Sequence, residues 1–178
     1  MDVVRMFAPV TKWNFTVHHP TNIPEMIRKG FKVAQAEKPG ACHIELPEDL
    51  AKEDVPEEYQ PLEPRRVRRP GADHKAVKEA LALIKKAKHP VILAGNGSLR
   101  KRATAQLREF AKKSGIGVVS TFMGKGVIPR DDPHCLFTMG LQARDHITCE
   151  MEKADLVICV GYDLVEYHPR FWNIGREK

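Results

Sequence analysis

The sequence predicts an α/β fold, an open parallel sheet with helices packed on its faces. Three observations carry that prediction. Pro90–Ala94 is a short apolar run, which suits a strand buried on both faces. Leu99, Ala103, Leu107, Phe110 and Ala111 then recur at spacings of three or four, which places them on one face of a helix. Ser114-Gly115 ends that helix, and Ile116–Ser120 begins a second strand. Strand, helix and strand in this order make a βαβ unit, whose two strands run parallel.

The turns of this unit are its chemical interest. In open parallel sheets, ligands lie beyond the carboxyl ends of the strands. Two glycine-bearing turns leave such ends here, Gly95-Asn96-Gly97 and Phe122–Gly126. Gly95, Asn96 and Gly97 all tolerate positive φ. Ser98 is placed to cap the helix by accepting a backbone N–H, and a helix N-terminus favours an anion. The motif GNGSLR departs from the dinucleotide fingerprint, because Arg100 stands where the third glycine belongs. Two readings therefore stand together, a nucleotide-binding turn and glycines that serve tight turns alone.

Taken in order, Met1–His19 reads as a connector, with KWNFTV alternating and Trp13 and Phe15 packing on the body or on a neighbouring domain. So abrupt a start suggests a piece of something longer. Asn22-x-x-Glu25 forms a capping box with Pro24 in the first turn. Ile23, Ile27, Phe31 and Ala34 define the buried face of the helix that follows. Lys38-Pro39-Gly40 stops it, and Ala41–Leu46 is a strand. Residues 51–71, rich in proline and in charge, form a surface linker that cannot build a core. Asp73 caps the next helix, with Val77, Leu81 and Ile84 on its buried side. After the central unit come a turn at Pro129–Pro133, a short strand or edge at Leu136–Gly140, a helix at His146–Lys153 and a buried strand at Leu156–Val160. The aromatic tail after Gly161 brings no closing element, which suggests that the sheet continues beyond it.

Composition narrows the function. The chain has 178 residues, 42% of them hydrophobic, enough for one domain and an extension. No apolar run approaches a membrane span and no signal-peptide pattern opens the chain, so the expectation is a cytoplasmic protein without a membrane partner. Cys42, Cys135, Cys149 and Cys159 form no C-x-x-C pair, and the eight histidines lack ligand spacing. Neither a disulfide framework nor a metal site is expected. The net charge of +6 lies over helix faces and one linker rather than among stacking aromatics. Solvated surface is the expected reading, and no nucleic-acid partner is assigned.

The order of motifs resembles the central domain of thiamine-diphosphate-dependent carboligases, acetolactate synthases in particular. The resemblance runs through KWNFTVHHPTNIPEMIRKGFKVAQAEKPGACHIELPEDL, PVILAGNGSLR, STFMGKGVIPRDDP, MGLQARD and ADLVICVGYDLVEYHPRFWN. It implies a Rossmann-like three-layer sheet. Residues 1–20 would be a connector from a pyrimidine-binding domain, and 21–178 the central domain. It also implies an enzyme that condenses two pyruvates with loss of carbon dioxide, using thiamine diphosphate and Mg2+ held by other domains of the same polypeptide. The Gly-Asp-Gly motif of the diphosphate site does not occur in this chain. The fragment alone would then lack catalytic residues and activity. Its partners would be those domains, further copies of itself as a homo-oligomer, and a 2-oxo acid substrate.

Some members of the family hold FAD in this domain. By resemblance, Gly95, Asn96 and Gly97 would approach its ribose or phosphates. Thr121, Phe122, Met123 and Gly124 would line it, and Met139, Gly140 and Leu141 would form another wall, with Asp163 near a ribose hydroxyl. The chain departs from the flavin pattern in two places. Lys38 stands where an arginine precedes Pro-Gly, and Val165-Glu166-Tyr167 replaces an Asp-Asp-Arg stretch. The Thr121–Gly126 turn looks like the flavin-binding type. The balance leans toward no bound FAD. Tyr162, Tyr167, Phe171 and Trp172 are expected to pack in the core or at an interface, while Asp163 and Glu166 could face a ribose, a channel or water. The alternatives to this reading are a stand-alone FAD- or NAD-binding module and the central domain of a related thiamine-diphosphate carboligase or decarboxylase.

Overall fold

The computed structural model describes residues 1–63, 65, 67–140 and 146–173, with the backbone alone of Lys101 and Arg102. The chain forms two compact units, Met1–Gly71 and residues from Ala72 onward.

The first unit holds α1 (Val3–Phe7), β1 (Trp13–Thr16), α2 (Ile23–Gln35) and β2 (Cys42–Glu45). β1 and β2 pair in parallel, with Trp13 opposite Cys42 and Thr16 opposite Glu45. Hydrogen bonds from Lys12 N to Ala41 O and from Val17 N to Glu45 O extend the pairing at both ends. Residues read as a connector thus supply a paired strand, and the boundary expected near residue 20 falls inside this unit. The helix after it differs from expectation. Pro20–Asn22 is already a 3-10 turn, so Asn22 has helical backbone and its side chain makes no capping bond. Gly30 is the buried residue of α2, because Ile44 and Trp13 of the two strands close on it. Ile27 and Phe31, expected on the buried face, are exposed instead and line an open apolar groove with Val55, Tyr59 and Leu62.

The second unit is an α/β parallel sheet. It runs α3 (His74–Lys86), β3 (Pro90–Ala94), α4 (Lys101–Ser114), β4 (Gly117–Thr121), β5 (Cys135–Met139), α5 (His146–Lys153) and β6 (Leu156–Val160). The strand order is β5-β4-β3-β6, every pair parallel. Alternation along the strands divides the core into two layers. Val91 and Leu93 of β3 and Val119 of β4 pack with Ile147, Met151 and Ala154 around α5. Ile92, Ala94 and Val118 pack with Leu107 and Ala111 of α4 on the other face. Sheet and helices make the three-layer, Rossmann-like arrangement that the family resemblance implies, built on the parallel strands that the apolar runs predict.

Local rules set the element ends. Asp73 caps α3, its carboxylate accepting from the Lys75 and Ala76 amides. Gly115 ends α4 in the left-handed region, φ +72°, which glycine enters without a Cβ penalty. Asp155 pins the amino edge of the sheet, accepting from the amides of Lys88 and His89 at 2.7 and 2.9 Å. Those two donors hold its carboxyl below the usual range. α3 meets the core through Ile84, whereas Val77 and Leu81, expected on its buried side, are exposed.

Candidate functional site at the carboxyl edge of the sheet

The chain winds from β3 to β4 to β5, then returns to place β6 on the other side of β3. The strand order therefore reverses between β3 and β6. That is the switch point of an open α/β sheet, where a crevice for ligands opens beyond the carboxyl ends. The Gly95–Gly97 turn lies at this point, as does Gly161-Tyr162 after β6.

The crevice is filled by the chain. Glu166, only 3% exposed, reaches back to the turn after β3. The Asn96 amide donates to both of its oxygens, at 3.0 and 3.1 Å. The Thr121 hydroxyl at the end of β4 donates to Oε2 at 2.5 Å and accepts from the Gly124 amide. One carboxylate thereby ties the segment after β6 to the ends of β3 and β4. The neighbouring amides are also taken: Gly95 N donates to Val160 O, Gly97 N to Gly161 O and Ser98 N to Gly95 O.

The glycines serve close approach. Gly95 has φ −102°, and Gly97 is likewise not among the positive-φ residues, so the expected left-handed turn does not form. A Cβ on Gly95 would lie 2.6 Å from Tyr162 Cα and 2.8 Å from Glu166 Oε2. One on Gly97 would lie 2.8 Å from Gly161 Cα. Contacts of this kind require about 3.5 Å or more between carbon atoms. Gly124 meets the Ala94 carbonyl in the same way. Ser98 also departs from expectation. It is buried in a 3-10 turn spanning Asn96–Leu99, donates its hydroxyl to Gly95 O, and caps nothing. Arg100 stands at the N-cap of α4, without a side-chain bond in that role, and Leu99 is exposed ahead of the helix.

The other predicted positions lie along the same edge. Thr121 is fully buried, while Phe122 and Met123 are exposed at its rim. Met139 is core, beneath the edge rather than on it. Gly140, at φ +113°, turns the chain past the Phe122 ring. Leu141 lies outside the described residues. Asp163 sits in the turn after β6, where its carboxylate accepts weakly from Val165 N at 3.4 Å. The tail aromatics pack as expected. Trp172 is buried against the α5 layer, Tyr162 meets it edge-on at 6.0 Å, and Tyr167 stacks on Phe171. Tyr167 O accepts from both the Tyr162 hydroxyl and Trp172 Nε1. Burial, against a smaller opposing effect of Trp172, pushes the Tyr162 phenol above its ordinary range.

Glu166 is the residue that sequence reasoning left unresolved. Its signal was a carboxylate within an aromatic-rich run, which has to find donors if it is buried. Among the described residues, no three His, Cys, Asp or Glu side chains gather as a metal site. Among the described residues, the edge thus holds a carboxylate with both oxygens engaged and turn amides bonded within the chain, an arrangement that holds structure together. No helix among the described residues is long and apolar enough to cross a membrane.

Comparison with known proteins agrees with this architecture. The family model described as thiamine pyrophosphate enzyme, central domain, matches residues 77–174. That span starts inside α3 and takes in the whole four-stranded sheet. A probable acetolactate synthase large subunit of Methanocaldococcus jannaschii is 35% identical over 167 residues, covering 90% of this chain and 28% of that protein. The acetolactate synthase of Bacillus subtilis is 32% identical over 179 residues, covering all of this chain and 31% of its own length. The Escherichia coli acetolactate synthase isozyme 1 large subunit is 29% identical over 161 residues. The chain spans about three-tenths of the length of the curated relatives it matches. With sheet order, helix layers and family match coinciding over one stretch, the chain belongs to the family of thiamine pyrophosphate enzyme central domains.

Proposed function

We propose that this chain works as the central, scaffolding part of an acetolactate-synthase-type carboligase that joins two pyruvates with loss of carbon dioxide. The observation that carries the reading is the span of the likeness. Proteins named acetolactate synthase align with 90% or more of the chain, the first unit included, and not with the central-domain sheet alone. Thiamine diphosphate, when bound, supplies the decarboxylation and carbon–carbon bond-forming chemistry of such enzymes. None of the residues at the carboxyl edge is assigned to it or to Mg2+. In this reading they lie in other domains of the polypeptide, which is cytoplasmic and assembles as a homo-oligomer. The chain's own work is to hold a rigid three-layer body beside those domains. In this reading the isolated chain is inactive, because the Gly-Asp-Gly motif of the diphosphate site does not occur in it and the cofactor is held by other domains.

Against the alternative of a stand-alone dinucleotide module stands the Gly95–Ser98 turn, whose amides are already hydrogen-bonded. The test is direct. The polypeptide that carries this chain is supplied with pyruvate, thiamine diphosphate and Mg2+, and acetolactate is measured. The reading expects acetolactate from it and none from the 178 residues alone. Turnover of another 2-oxo acid without acetolactate would place the chain in a different carboligase or decarboxylase.

A further inference from the structure

We infer that the dinucleotide place of this sheet is closed by the chain itself. Glu166 lies where a bound phosphate or ribose would take its hydrogen bonds, and the domain rejects flavin and nicotinamide dinucleotides. The inference rests on the geometry of the second unit and does not depend on which reaction the parent enzyme catalyses.

A dinucleotide at a switch point takes three things from the protein. Its diphosphate takes backbone N–H groups at the first glycine turn, the turn gives it room to approach, and a carboxylate takes a ribose hydroxyl. Each is spent here. The amides of Gly95, Asn96, Gly97 and Ser98 donate to Val160 O, Glu166, Gly161 O and Gly95 O. The space that Gly95 and Gly97 leave is occupied by Gly161 and Tyr162, whose backbone atoms stand 2.6 to 2.8 Å from where a Cβ would be. The carboxylate in the crevice has both oxygens engaged, by Asn96 and Thr121. A buried carboxylate beside the turn also repels a diphosphate, and repulsion between like charges is strong where water is excluded. The residues present therefore do not fit FAD. The Val165-Glu166-Tyr167 stretch is the physical reason, because it delivers the carboxylate that fills the place.

The test joins hydrogen exchange with ligand titration, both on the 178-residue chain. Wild type, Glu166→Gln and Glu166→Ala are compared by amide exchange, residue by residue. The Asn96 amide is expected to be protected in wild type. In Glu166→Ala its protection should fall by about 10- to 100-fold, the worth of a hydrogen bond to a charged group. The Gly97 amide, bonded to Gly161 O, should keep its protection. Glu166→Gln retains an acceptor and should lose less, and it carries the comparison if the alanine variant does not fold. Calorimetric titration of wild type with FAD, NAD or ADP is expected to give no saturable heat. Stoichiometric binding of any of the three, or an Asn96 amide that exchanges at the rate of an open loop in wild type, overturns the inference. Whether the parent polypeptide forms acetolactate at all decides the proposed activity, whereas a dependence of that activity on FAD bears on the closed turn, so the two can fail separately.

Discussion

Replacing Gly95 by alanine adds one methyl group at the point where β3 and the turn after β6 touch. The new Cβ would sit 2.6 Å from Tyr162 Cα, 2.7 Å from Gly161 O and 2.8 Å from Glu166 Oε2. Carbon atoms in contact need about 3.5–4.0 Å, so backbone on one side has to move by roughly 1 Å. Neither side moves cheaply. Gly95 N is bonded to Val160 O and Gly97 N to Gly161 O, and Glu166 is held by Asn96 and Thr121. Overpacking a filled site costs about 1–3 kcal/mol. Since the obstruction is backbone, the upper end applies, about 3 kcal/mol, which lowers the melting temperature of a unit this size by roughly 10 °C. Gly115→Ala is the control. Its φ of +72° strains any L residue but nothing lies within 4 Å of the new Cβ, so its loss is about 1 kcal/mol, the usual left-handed penalty. Thermal unfolding followed by circular dichroism compares the two. A Gly95→Ala protein that melts with wild type, or no lower than Gly115→Ala, would refute the close-approach argument.

Other substitutions report on separate parts of the unit. Asp73→Ala removes two bonds at the N-terminus of α3 and should cost about 1 kcal/mol in urea unfolding. Trp172→Ala empties a buried site against Tyr162 and the α5 layer, with an expected loss of about 3 kcal/mol or more and a weakened near-ultraviolet dichroism signal. The Asp155 carboxyl is held below its ordinary value by the amides of Lys88 and His89. Its stabilising contribution is therefore complete above the unfolded-state value, about 3.9, and disappears as pH falls through the lower folded value. Acid unfolding of Asp155→Asn should be less steep over that window than that of wild type, and an identical slope would exclude Asp155 as a contributor.

Much of the second unit was legible because its signals are local and periodic. The spans His146–Lys153 and Leu156–Val160 match their predicted limits, and Asp73 and Gly115 cap and stop their helices as their chemistry requires. The failures arise where tertiary contacts decide. On α2 the apolar stripe of Ile27 and Phe31 suggested the buried face, but the two strands settle on Gly30, a residue with no hydrophobic signal. At the edge of the sheet, Gly95-Asn96-Gly97 reads locally as a left-handed or ligand-binding turn. Its real determinants are Gly161, Tyr162 and Glu166, more than sixty residues further on. No periodicity announces a contact of that kind. What the sequence does show is Glu166 set between apolar and aromatic neighbours, Val165 and Tyr167, and the need to satisfy it when buried is the physical clue to its partners.

The measurement that tests the account most directly is acetolactate formation by the polypeptide that carries this chain. Pyruvate, thiamine diphosphate and Mg2+ are supplied, first without FAD and then with it. The account predicts acetolactate in both cases and at equal rates. No acetolactate from pyruvate under either condition would contradict the carboligase assignment, and activity that appears only with FAD would contradict the closed edge of the sheet.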